Sequence, residues 1–109
     1  MKRVLYLVLK SGEGAFHTLE ELKRDGYNAT VVSTESLRHA VDYFPEEHHF
    51  FNLRQLEEKE IVESILCMFI IDEDKLQNIK SSIKELTNNF SGVKGFMFTQ
   101  EISDYEGSI

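Results

Sequence analysis

The residues of this sequence that suggest chemistry most directly are His39, His48 and His49, with Glu46 and Glu47 beside the last two. Imidazole nitrogen and carboxylate oxygen together can hold zinc or copper, but adjacent histidines seldom close on one ion and no thiolate joins them. A solvated loop is the plainer reading, so no metal is assigned. Lys10-Ser11-Gly12-Glu13-Gly14 places glycines where a phosphate-cradling loop has them, yet it lacks the lysine and hydroxyl that close such a loop. It reads as a strand-to-helix turn. Arg38 and Arg54 offer guanidinium forks for a phosphate or carboxylate, against the plainer role of pairing with neighbouring glutamates. Phe44, Phe50 and Phe51 suit an aromatic lid or, more simply, anchors that tie a long connection to the core. His17, next to Phe16, is expected to be a neutral hydrogen-bonded side chain with no role. Ser33, Ser36 and His39 are close in sequence, but nothing in their spacing orients one upon another, so no catalytic group is assigned and no enzyme is expected.

Composition bounds the partners. At 109 residues and 41% hydrophobic, the chain fits one domain, residues 1–109, around one core. Nineteen acidic against 12 basic residues give a net charge of -7, a field that repels a nucleic-acid backbone. Cys67 is the single cysteine and lies inside an apolar run, as a buried small hydrophobe in a reducing cytoplasm would. The run Val4 to Leu9 is too short to span a bilayer and no cleavage site follows it, so it is expected to be a strand, with no membrane partner. No cofactor is called for.

The elements that must position any site follow from periodicity. Val4 to Leu9 is apolar on both faces and suits a central strand. Ala15, Phe16, Leu19 and Leu22 recur at helical spacing and end at Asp25-Gly26, a glycine helix stop, which gives a helix over about Ala15 to Arg24. Tyr27 to Thr34 is β-branched and less apolar, which suits an edge strand. Ser64 to Ile71 is a second strongly apolar strand, and Asp72-Glu73-Asp74 then offers a cap and negative charge to a helix start. Leu76, Ile79, Ile83, Leu86 and Phe90 make one apolar stripe. Ser91-Gly92 stops it, and Val93 to Ile102 forms a last strand with a bulge expected at Gly95. The tail after Ser103 is expected to be frayed or dependent on a partner.

This order specifies a ferredoxin-like α+β fold, βαββαβ, with a four-stranded antiparallel sheet, both helices on one face and the two most apolar strands in the middle. A sheet covered on one side leaves Tyr6, Val8, Met68 or their neighbours of opposite phase bare, and association of several copies would cover them. The insertion from about 35 to 63, between the second and third strands, is far longer than a hairpin needs. Leu37, Val41 and Phe44 are spaced for a short helical turn within it, and Leu53 to Val62 for a Glu-rich helix.

Met1 to Val8, the run Glu20 to Thr34, and Ile65-Leu66-Cys67-Met68 followed by Asp72-Glu73-Asp74-Lys75-Leu76 together resemble the PII-like superfamily, nearest to the small cyclic-di-AMP receptors of Gram-positive bacteria. The resemblance implies a homotrimeric signalling protein whose sheet faces pack together and whose long loop after the second strand acts as effector element. It places a nucleotide or small anion in clefts between subunits, held by Asn28, Ala29, Thr30 and Thr34, with Ser36 and Arg38 following as ligand-binding candidates. The glycine-rich stretch that those receptors carry after strand two is replaced here by Glu35-Ser36-Leu37-Arg38. Two other readings stand beside this one. One is a protein-interaction module whose acidic insertion docks on a basic partner, and the other is a metal-binding trimer that uses the loop histidines.

Overall fold

The computed structural model describes residues 1–37, 41 and 63–108. Most of the insertion, including Arg38, Arg54, the three loop histidines, the phenylalanine lid and the helix expected from Leu53 to Val62, lies outside these residues; of the expected helical turn, Leu37 and Val41 are described and helical, and Phe44 is not described.

Outside the insertion the elements follow in the order β1 (Lys2–Lys10), α1 (Glu13–Arg24), β2 (Thr30–Thr34), β3 (Ser64–Asp72), α2 (Leu76–Leu86) and β4 (Gly95–Glu101), with a short 3-10 turn, Glu73–Lys75, leading into α2. The sheet runs β2-β3-β1-β4 and every neighbouring pair is antiparallel, which is the ferredoxin-like arrangement. The two most apolar strands are the central pair, since burying both faces of a strand requires both faces to be apolar.

Register assigns each side chain to a face, because residues directly opposite in an antiparallel ladder project to the same side. Leu5, Leu7 and Leu9 of β1 pair with Phe69, Cys67 and Ile65 of β3 and face the helices. There they pack with Ala15 and Leu22 of α1 and Leu76, Ile79 and Ile83 of α2 into one core. The alternate residues form the opposite, open face: Val32, Leu66, Val8 and Phe96 lie in one row and Thr30, Met68, Tyr6 and Phe98 in the next. Phe96 is 54% exposed and Phe98 47%, with Phe98 stacked on Tyr6 at 4.8 Å between ring centroids.

Helix α1 ends as its glycine dictates. Gly26 adopts φ +95°, and the Gly26 and Tyr27 N–H groups bond the Lys23 and Leu22 carbonyls in a Schellman turn. The inner face of α1 differs from the expected stripe: Phe16 points outward, 65% exposed, and Thr18 is buried in its stead with its hydroxyl donated to the Gly14 carbonyl at 2.8 Å. The buried phase of α1 is Ala15, Thr18 and Leu22, and a backbone-satisfied hydroxyl can occupy that middle position. His17, on the same helix, is exposed.

Helix α2 also stops earlier than its apolar stripe. Asn88, Asn89 and Phe90 all have positive φ, so the chain leaves the helix after Thr87 and winds left-handed before Gly92. Phe90 still packs against the core, so it continues the pattern without continuing the helix. Thr87, fully buried, organises the turn. Its hydroxyl donates to the Ile83 carbonyl at 2.7 Å and accepts the Phe90 N–H at 3.1 Å, and its carbonyl receives the Gly92 and Val93 N–H groups.

The expected bulge in β4 is not present: the pairing with β1 is continuous from Gly95 to Glu101. Gly95 is required there by close approach, since a Cβ would sit 2.0 Å from the Val8 carbonyl oxygen. At the other end of the sheet, Asp72 and Glu73 do not cap the following turn with their side chains. They pair across to β1, Asp72 with Lys2 at 3.0 Å and Glu73 with Arg3 at 2.8 Å, because β3 ends opposite the strand that carries these cations. Those pairs hold both carboxyls below their ordinary range, chiefly through the hydrogen bonds from Lys2 and Arg3.

Candidate functional site

Between the Schellman turn and β2 the chain passes through Asn28 and Ala29 without regular secondary structure, and the Asn28 side-chain oxygen accepts the Ala29 N–H at 2.9 Å. The segment is thereby pinned at the mouth of a cleft of about 520 Å³. Asn28, Ala29 and Thr30 form one wall, Met68 and Ile70 of β3 the floor, and Tyr105 to Ser108 of the C-terminal tail the other wall. Thr30 pairs directly with Met68, so its side chain and the cleft floor belong to the open face of the sheet.

The lining sets what can bind. Thr30 and Ser108 bring hydroxyls, Asn28 an amide, Tyr105 a phenol ring and Glu106 a carboxylate, over two apolar side chains. This suits a flat polar group with hydrogen-bonding edges, such as a nucleobase. Charge of both signs lies next door. An adjoining cleft of about 460 Å³ shares Asn28 and Ile70 and is lined by Lys2 and Lys75, with Asp25 and Asp72 opposing them.

The sequence candidates thus divide. Asn28, Ala29 and Thr30 meet in the one cleft. Thr34, four residues further along β2 and opposite Ser64, is about 13 Å away by strand rise. Ser36 lies beyond it, with its N–H and hydroxyl 3.3 Å from the Glu63 carboxylate, and Arg38 is outside the described residues. The wall contributed by the tail escaped the sequence reading, because nothing in Tyr105-Glu106-Gly107-Ser108 has a period that ties it to a strand 75 residues earlier.

Among the described residues no group of three or more His, Cys, Asp or Glu is placed to hold a metal ion. Cys67, on the helix face of β3 and fully buried, has its thiol pushed up to about 11 by desolvation, which makes it an inert core residue. No helix among the described residues is long and apolar enough to cross a membrane. No protein-family model matches the sequence, and no curated protein matches it either.

Proposed function

We propose that the chain is a non-enzymatic, PII-like regulatory binding module of the cytoplasm, which senses a nucleotide or small anion in clefts formed where copies of it meet, most simply as a homotrimer. The observation that carries this reading is that Asn28, Ala29 and Thr30 open onto the same side of the sheet as the uncovered row Val32, Leu66, Val8 and Phe96. A copy seated on that side would border the cleft, so ligand and assembly would share one surface. A nucleotide fits better than a bare anion: its base suits the polar lining beside Tyr105, and its phosphate the neighbouring Lys2 and Lys75. The net charge of -7 argues against a nucleic-acid polymer as partner.

A thermal-shift series over mononucleotides, cyclic dinucleotides and divalent metals tests the reading, since any ligand of the folded state raises the melting temperature. One nucleotide class should raise it in the wild type. Thr30→Val should leave the unliganded melting point within a few degrees of wild type while weakening that nucleotide about 5- to 10-fold, the value of one lost hydrogen bond. Unchanged affinity in Thr30→Val would remove Thr30 from the site. A response to zinc or copper alone would favour the loop histidines instead.

A further inference from the structure

The cleft at Asn28 is lined by two polar side chains with bonding capacity to spare. The Ala29 N–H can only donate, so the Asn28 side-chain oxygen is fixed as its acceptor at 2.9 Å and the amide NH2 group is what remains for a ligand. Glu106 is the other. Among the described residues its carboxylate makes no hydrogen bond or ion pair, and it is the one acidic side chain that lines this cleft. The floor between them is apolar and open, with Ile70 41% exposed, and the Tyr105 ring borders it. A flat ring with hydrogen-bond donors on its edge would satisfy both. Lys2, which lines the adjoining cleft, has its ammonium 5.6 Å from the centre of the Tyr105 ring, so the groups suited to a phosphate and to a base lie within the span of one nucleotide. Lys2 is shared with Asp72, whereas Lys75 makes no ion pair among the described residues.

We propose that the base this cleft selects is guanine, read by the Glu106 carboxylate and the Asn28 amide. The inference rests on the nucleotide reading above and names the nucleotide. An ionised carboxylate offers acceptors only, and guanine is the common base that carries two neighbouring donors on its pairing edge, the N1–H and the N2 amine. The two carboxylate oxygens take them side by side in charge-assisted bonds, and the adjoining O6 accepts from the Asn28 NH2 group. Adenine fails this test. It offers the carboxylate its N6 amine alone, and the N1 lone pair beside that amine repels the second oxygen. Hypoxanthine keeps O6 and the N1–H but lacks the amine, so it stands between the two. Tyr105 and the apolar floor stack on any base and set affinity without setting choice. Discrimination comes from the edge, because the wrong base leaves a desolvated polar group unpaired.

The test is titration calorimetry of the full chain with the 5′-monophosphates of guanosine, inosine and adenosine, in the wild type and in Glu106→Gln and Glu106→Ala. The readout is the ratio of affinities between bases. Removing a negative charge strengthens every nucleotide alike, and the ratio cancels that effect. In the wild type the guanosine nucleotide should bind about tenfold more tightly than the adenosine one, with inosine between them, as one or two charge-assisted bonds at an exposed site would give. Glu106→Ala should bring the ratio near one. Glu106→Gln should do so from both sides, because its amide accepts from the adenine N6 amine and donates to N1. Equal affinities in the wild type, or a guanine preference that survives both variants, would overturn the role of Glu106 while leaving a nucleotide site in place. If none of the three nucleotides binds, the nucleotide reading falls and the choice of base falls with it.

Discussion

Thr87 shows how much one buried hydroxyl can organise. It accepts a hydrogen bond from Phe90 and donates one to Ile83 at the point where three consecutive residues take left-handed backbone, a conformation that costs about 1–2 kcal/mol for each residue bearing a side chain. Thr87→Val keeps the shape and removes both bonds, leaving the part-buried Phe90 N–H without its acceptor. Urea unfolding should show a loss of about 1–3 kcal/mol with the m-value unchanged. Cys67 makes a second prediction at this scale. Enclosed and with its thiol pushed up to about 11, it should react with a thiol reagent at pH 8 only through opening of the fold. Labelling should be slow in buffer and fast in 6 M urea, and fast labelling in buffer would contradict the buried placement. Cys67 was legible in the sequence because its neighbours are all apolar. Thr87 was not, because a threonine at a helix end has the same signature whether it faces water or the core.

At the scale of elements, the ends of the strands carry the electrostatics. Asp72 and Glu73 have folded-state carboxyls depressed by Lys2 and Arg3, so the stability they contribute is present above the unfolded-state carboxylate range and is lost as pH falls through the lower folded values. Unfolding free energy should therefore decline as pH is lowered from about 5 towards 2. Arg3→Met should flatten that slope, and since these groups are exposed, added salt should flatten it too. An identical slope in the variant would remove Arg3 from the account. The sequence placed acidic residues after β3 correctly but read them as helix caps, because local spacing cannot see that β1 brings two cations opposite them. The end of α2 failed for a related reason. Leu86 and Phe90 keep the apolar spacing, and a period in sequence does not distinguish a helix that continues from a chain that turns left-handed and still buries the same ring. The end of α1 was legible because a glycine after an acidic cap signals its own stop.

At the scale of the molecule, the same two-sided pattern that identified β1 and β3 as central strands also exposed a face with nothing to cover it from within the helix pair. That much could be read from alternation alone. The place of the tail beside Met68 and Ile70 could not, since it depends on where the last residues fold back. The cleft at Asn28–Thr30 joins the two halves of the account, because its floor is the open face and its outer wall is the tail.

The most direct test of the central claim is sedimentation equilibrium on the full chain and on a Phe96→Ser/Phe98→Ser double variant. The account predicts a wild-type species with three times the mass of the chain, dissociating on dilution, and a monomer of unchanged circular dichroism when the two exposed rings are removed. A wild-type chain that stays monomeric at high concentration, or a variant that assembles as tightly as the wild type, would contradict it.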